Sequence, residues 1–239
     1  MTHLLYQTDS YLQEFDAVVT DINEAERTVV LDRSAFYPGG GGQPHDLGTL
    51  TAAGVDFAME RVRKTPEGVA LTLGGDLPLP QPGTPVYGRI DWQRRYQLMR
   101  THTAMHILCG VVFRDFGAQV TGGDMDPLKG RMDFEFENLS KELVGVIEAA
   151  VNREVAANRD LRVAILPREQ AFAIPDLIRT KINLLPPGVA EVRTVEIAGL
   201  DLQADGGTHV ANTREVGGMT IVDYKSKGAI NKRIYVRIP

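Results

Sequence analysis

Two histidines four residues apart, His102 and His106, lie in the stretch Arg100-Thr101-His102-Thr103-Ala104-Met105-His106. On a helix, positions i and i+4 share a face one turn apart, so both imidazoles can reach one cation. Further on, Asp201-Leu202-Gln203-Ala204-Asp205-Gly206-Gly207-Thr208-His209-Val210 offers a third histidine and a carboxylate. The glycines there let the backbone bend until Asp205 and His209 face one point. Three imidazoles and a carboxylate make a zinc donor set, with bonds of about 2.0–2.2 Å. Each half also has a plain alternative. A helical histidine pair can simply be packed, and Asp-Gly is a common hairpin turn. The pair is not H-E-x-x-H, because Thr103 and Ala104 fill the intervening positions; the general-base glutamate of zinc proteases is therefore missing.

The surrounding elements follow from pattern. Residues 15–22, 28–31, 48–51, 55–62 and 69–73 read as short strands, with a hairpin loop at Asn23–Glu26, which predicts a small barrel or sandwich. Phe36-Tyr37-Pro38-Gly39-Gly40-Gly41-Gly42-Gln43-Pro44 cannot be a helix or a strand interior. Residues 77–85 hold four prolines and read as an extended loop. Asp91 is a good N-cap for a helix running to Phe116, with Gly117 as its stop. A strand follows at 131–136, then a helix capped by Ser140, a strand at 161–166, a helical turn or two within 167–180 and a strand at 192–197. A final β pair, 219–224 and 233–238, flanks the loop 225–232.

At 239 residues, 43% hydrophobic and 24% charged, the chain is ordinary globular material for one large or two smaller domains. The single cysteine, Cys109, excludes an internal disulfide and points to the cytoplasm. No signal peptide and no apolar run of ~20 residues is present, so no membrane role is expected. A net charge of -5 argues against bulk nucleic-acid binding but leaves room for a local basic surface.

Four motifs together are specific. Phe36-Tyr37-Pro38-Gly39-Gly40-Gly41-Gly42-Gln43 resembles F-Y-P-x-G-G-G-Q, and Met99-Arg100-Thr101-His102-Thr103-Ala104-Met105-His106 resembles M-R-x-H-T-A-x-H. Arg131-Met132-Asp133-Phe134 is similar to R-x-D-F, and Gly206-Gly207-Thr208-His209-Val210 is similar to C-G-G-T-H-V without its first residue. These are motifs of the alanyl-tRNA synthetase editing domain and its free-standing AlaX-type relatives, and the glycine-rich motif resembles the longer class. The resemblance implies an α+β protein: an N-terminal β-barrel over 1–91, then an editing domain over 92–239 with a sheet packed on helices, similar also to that of threonyl-tRNA synthetase. It implies one Zn2+ per chain and hydrolysis of mischarged alanine tRNA, seryl and also glycyl esters, at the acceptor end. A monomer is expected.

The family's cysteine ligand is here Asp205. Either His102, His106, Asp205 and His209 all bind metal, or three histidines bind and Asp205 orients a water as a base. The position Asp205 occupies favours the first, with a harder metal preference than a thiolate would give. Cys109, three residues past His106, shares its face but reads as a packing residue. Thr121 is a candidate catalytic contact to the serine hydroxyl, or else a loop hydroxyl beside Gly122 and Gly123. By resemblance, Gly40, Gly41, Gly42 and Gln43 shape specificity, and Gln203 is placed with them. Arg94, Arg95 and Arg100 beside the histidine helix, with Lys225, Lys227, Lys232 and Arg233 near the last loop, are candidates for tRNA phosphates; taken singly, each also reads as solvated charge. The competing functions are a zinc hydrolase of another amino-acid ester and a non-catalytic RNA-binding module.

Overall fold

A computed structural model describes residues 1–66, 68–180, 185 and 188–239. The chain divides into two compact units, one of Met1–Gly40 and Pro44–Tyr96, the other of Gly41–Gln43 and Gln97–Pro239. The sequence pattern places the division between Asp91 and Trp92. The observed boundary falls a helical turn later, and the tip of the glycine-rich motif goes with the second unit.

The first unit contains β1 (His3–Leu4), β2 (Glu14–Asn23), β3 (Thr28–Leu31), β4 (Arg33–Ser34), β5 (Gly48–Ala52), β6 (Val55–Thr65), β7 (Gly68–Leu73) and β8 (Pro85–Ile90). Six of them close a barrel in the order β2-β3-β7-β6-β5-β8. Five fall where the alternating pattern and its turn signals predict strands, and the sixth, β8, begins at Pro85, which the sequence reading leaves in the proline-rich loop. Along β2, Phe15, Ala17 and Val19 point inward while their neighbours are exposed, and they join Leu31, Leu50 and Leu71 in one apolar core. Asn23 closes the β2–β3 turn by accepting the Glu26 N–H at 3.1 Å.

Arg95 is the main correction within this unit. It is fully buried, ion-paired with Asp46, and donates to the carbonyls of Ser10 at 3.0 Å and Ala35 at 2.7 Å. Asp46 in turn accepts the Tyr37 N–H at 2.6 Å. A guanidinium with its donors spent on an interior carboxylate and two carbonyls cannot reach a phosphate, so Arg95 leaves the tRNA-binding set.

Helix α1 (Trp92–Phe116) starts where expected, because Asp91 Oδ1 accepts the Arg94 N–H at 3.1 Å. It ends at Gly117, which adopts φ 65° and donates to the Phe113 carbonyl at 2.9 Å. The second unit continues with β9 (Val120–Asp126), β10 (Lys129–Glu135), α2 (Lys141–Ala156), β11 (Leu161–Pro167), α3 (Arg168–Phe172), β12 (Glu191–Ile197), β13 (Asp201–Ala204), β14 (Thr220–Ser226) and β15 (Asn231–Arg237). One sheet runs β14-β15-β10-β9 and another β11-β12-β13, which with α1 and α2 makes the expected α+β arrangement. Ser140 Oγ caps α2 through the Leu143 N–H at 3.2 Å. Among the described residues no helix is long and apolar enough to cross a membrane.

Two local expectations change. Thr121-Gly122-Gly123 is strand β9, not loop. The glycine-rich tip lies against this strand: the Met125 N–H donates to the Gly42 carbonyl at 3.1 Å, and Gly42 is the residue that must be bare there, because its Cβ would stand 3.0 Å from the Gly123 oxygen. Asp201–Ala204 is strand β13, and the turn before it is made at Gly199, with φ 72°. Asp205-Gly206 therefore ends a strand and does not form a hairpin.

Candidate metal centre

Within the second unit, α1 carries His102 and His106 on one face, and the segment after β13 brings Asp205 and His209 to them. One ligand atom from each of these four residues lies within 4.8 Å of all the others. Asp205 Oδ1 is 3.6 Å from His102 Nε2 and 3.9 Å from His106 Nε2, and Oδ2 is 3.0 Å from His209 Nε2. Tetrahedral zinc with bonds of about 2.0–2.1 Å spaces its ligand atoms about 3.3 Å apart, so these contacts fit a common ion with small adjustments.

All three imidazoles turn Nε2 inward, and each Nδ1 has its own oxygen behind it. Gln43 Oε1 lies 3.0 Å from His102 Nδ1, Asp201 Oδ2 lies 3.4 Å from His106 Nδ1, and Thr103 Oγ1 lies 3.2 Å from His209 Nδ1. Such partners orient ligating histidines and raise their basicity. The arrangement uses residues that sequence reasoning does not assign, Thr103 and Asp201, and gives Gln43 a place beside a ligand.

Electrostatics suit a cation. Burial pulls His102 well below its ordinary range and His209 down to about 4, so both are neutral with lone pairs available. Burial opposes ionisation of Asp205, but the neighbouring His102 and the His209 hydrogen bond outweigh it and hold the carboxyl well below the usual range. Burial also works against a charged His106, yet the hydrogen bond to Asp201 and the two nearby carboxylates raise it overall. Asp205 Oδ2 further accepts the Gly207 N–H at 2.7 Å and lies 3.7 Å from Arg193 Nη1, which donates to the Asp205 carbonyl at 2.9 Å. Sequence reasoning misses Arg193; its signal is a charged residue inside the buried run of β12.

The remaining candidates separate. Gly41 stands close to the cluster, its would-be Cβ 3.9 Å from Asp205 Oδ1, whereas Gly40 belongs to the first unit. Gln203 donates to Asp201 Oδ2 at 2.6 Å and lies 3.5 Å from His106 Nδ1 and 3.3 Å from the buried Cys109 Sγ. Cys109 faces this amide and is not one of the four clustered ligand residues. Thr121 is exposed and donates to Asn231 Oδ1 at 3.0 Å, so the structure does not gather it with the histidines.

Several of the candidate cations are engaged elsewhere. Arg100 donates to the carbonyls of Glu215, Val216 and Pro239. Lys232 is buried, with Nζ donating to Gly228 and Ala229 carbonyls at 2.8 and 2.7 Å. Arg233 makes a two-pronged pair with Asp133, at 2.6 and 2.7 Å, which explains the aspartate of the R-x-D-F motif. Lys225 and Lys227 are exposed on the β14–β15 hairpin, Lys225 within 3.2 Å of Asp223, and Arg94 is half-buried.

Comparison with known proteins gives the chain its family. Residues 192–235, spanning β12 to β15, match the family described as "Threonyl and Alanyl tRNA synthetase second additional domain". Residues 7–94 match "tRNA synthetases class II (A)". The chain is 37% identical over 227 residues to an alanine–tRNA ligase of Ignicoccus hospitalis, covering 92% of this chain and 24% of the ligase. It is 36% identical to an alanyl-tRNA editing protein AlaX-M of Methanosarcina acetivorans, over 98% of each. With the AlaX-M protein of Saccharolobus solfataricus it shares 39% identity over 100% of this chain and 99% of that one. Likeness sustained from the barrel through the histidine cluster at that level means that the chain belongs to the AlaX-M family of alanyl-tRNA editing proteins.

Proposed function

We propose that this chain is a trans-editing hydrolase that cleaves the ester of mischarged alanine tRNA, seryl- and also glycyl-tRNA, at the terminal ribose. Its ligands for one zinc ion are His102, His106, Asp205 and His209. The observation that carries this reading is the four-residue cluster itself, with its ligand atoms all within 4.8 Å and every imidazole backed at Nδ1. A bound zinc supplies Lewis acidity, polarising the ester carbonyl and lowering the pKa of a water.

The chain's own groups do the rest. The neutral His102 and His209 imidazoles and the Asp205 carboxylate offer lone pairs toward one point. His106, raised by its carboxylate neighbours, gives up its proton to join them, and the Gly207 N–H and Arg193 hold Asp205 in place. Asp205 Oδ1 faces His102 and His106, which supports the four-ligand arrangement over a base role. Gln203 takes over from Thr121 as the contact for the serine hydroxyl. Its Nε2 is spent on Asp201, so Oε1 is the atom to accept a seryl hydroxyl proton; this contact favours the seryl ester over the alanyl one and contributes nothing to the glycyl ester, which also lacks the hydroxyl. The bare backbone of Gly41 beside Asp205 leaves room for a small aminoacyl group. Lys225 and Lys227 of the second unit meet phosphates of the acceptor stem, and Arg94 of the first unit is a separate candidate for such a contact.

Zinc analysis together with deacylation of seryl-, glycyl- and alanyl-tRNA bearing the alanine anticodon tests this. One zinc per chain and hydrolysis of the seryl ester with sparing of the alanyl ester are expected. Hydrolysis of free aminoacyl esters in preference to tRNA would refute it. Asp205→Ala lowers bound zinc if Asp205 is a ligand; unchanged zinc with lost activity would assign it the base role.

A further inference from the structure

The geometry points to Gln43 as the positioning residue that sets the tautomer of His102 and thereby aims its Nε2 at the metal. This rests on the metal-site reading above. It differs from a specificity role for the glycine-rich motif, because Gln43 acts on the ligand His102 at Nδ1.

A main-chain N–H fixes which way the Gln43 amide faces. The Thr208 backbone N lies 3.0 Å from one terminal atom of that amide. A backbone N–H can only donate, so the atom is the oxygen, Oε1. The other terminal atom is then Nε2, and it donates to Thr208 Oγ1 at 2.8 Å. His102 Nδ1 lies 3.0 Å from the same Oε1. A carbonyl oxygen accepts two hydrogen bonds but donates none, so Nδ1 must carry the proton. In a neutral imidazole the lone pair is then on Nε2, the atom 3.6 Å from Asp205 Oδ1. A main-chain donor in one segment therefore decides the tautomer of a side chain in another, through one buried amide.

Burial keeps the amide from turning over. Gln43 is 2% exposed, Thr208 0% and His102 3%. The chain presses on the pair at Gly207, where a Cβ would fall 2.3 Å from His102 Cε1, 2.5 Å from Nδ1 and 2.7 Å from Gln43 Oε1. Flipping the amide would set Nε2 against two donors and leave both unpaired in the interior.

The test is a long-range 1H–15N correlation on the metal-free full chain, reading which His102 nitrogen is protonated, joined to Zn2+ affinity by chelator competition. The wild-type chain should show the proton on Nδ1. Gln43→Leu should lose that preference and bind Zn2+ about 10–100-fold more weakly. Gln43→Glu, which keeps an acceptor for both donors, should retain the Nδ1 proton and stay within about threefold of wild-type affinity, well inside that loss. A wild-type His102 protonated on Nε2, or a Gln43→Leu chain that binds Zn2+ as tightly as wild type, would overturn the assignment. A wild-type chain with the Nδ1 proton but no Zn2+ affinity would support the tautomer and remove the metal reading instead. Should Gln43→Leu fail to fold, the wild-type tautomer and the Gln43→Glu chain still decide the matter.

Discussion

Gly207→Ala puts one carbon where His102 and Gln43 already are. The φ of Gly207 lies outside the left-handed region, so alanine meets no backbone penalty and the whole effect is steric. The added Cβ would sit 2.3 Å from His102 Cε1. Carbon atoms prefer about 3.5–4.0 Å, so the ring must retreat by more than ~1 Å. Overpacking of this kind costs about 1–3 kcal/mol, or a Tm drop of roughly 2–12 °C at about 2–4 °C per kcal/mol for a chain of this size. The displaced ring also misaims Nε2, which should weaken Zn2+ binding by about 10–100-fold. Gly206→Ala is the matched control, one residue away and equally free of positive φ, with nothing within 4 Å of its Cβ. It should stabilise by about 0.4–1 kcal/mol through the unfolded chain and leave Zn2+ binding alone. Thermal unfolding of the metal-free chains and chelator competition measure both effects. If Gly207→Ala melts with Gly206→Ala and binds Zn2+ like wild type, the packing argument around His102 is wrong.

Other outcomes follow from the same contacts. Arg95→Leu strands Asp46 in the barrel unit and should cost about 3–5 kcal/mol in urea unfolding, while the salt dependence of tRNA binding stays as in wild type. Replacing Lys225 and Lys227 together by alanine should flatten the slope of log K against log salt by roughly 1.4–1.8; an unchanged slope would remove the hairpin from the tRNA surface. Asp205→Cys, which installs the thiolate of the C-G-G-T-H-V motif, should raise Cd2+ affinity relative to Mn2+ in competition titrations, and an unchanged ratio would count against Asp205 as a ligand. Burial raises the Glu154 carboxyl, but Arg114 and Arg159 overcome that and hold it below its ordinary value. Its stabilisation is therefore complete above about pH 4.5 and fades as pH falls through the lowered value. Glu154→Gln should lower Tm at pH 7 and converge on wild type in acid, and a pH-independent difference would contradict the ion-pair explanation.

The candidate site is legible in the sequence to an uneven degree. His102 and His106 announce themselves because helical spacing alone puts them on one face. His209 and Asp205 become readable through a motif, since no periodicity links them to a helix so far back in the chain. The cations show the opposite case. Arg94, Arg95 and Arg100 look alike on a line of letters, yet Arg95 is sealed against Asp46, 49 positions away, and Arg100 holds carbonyls more than a hundred positions on. Charge is visible in a sequence; the partner that neutralises it is not. Thr121 misleads for a related reason. Two glycines after a threonine signal a loop when only neighbours are considered, but pairing with Asp133 and Met132 of β10 makes them a strand.

What the sequence determined by itself was local. It set both ends of α1 through Asp91 and Gly117, the start of α2 through Ser140, the alternation that makes five of the barrel strands, the pairing of two histidines and the family. Those features depend on propensity, capping and spacing within a few residues. What only the tertiary structure decided was which atoms face which: that Asp205 turns Oδ1 toward two imidazoles, that Asp201 and Thr103 stand behind the others, and that Gln43 is matched to His102 across 59 positions. A hydrogen bond between distant segments leaves no period in the chain, because its donor and acceptor meet only after the core has brought their backbones together.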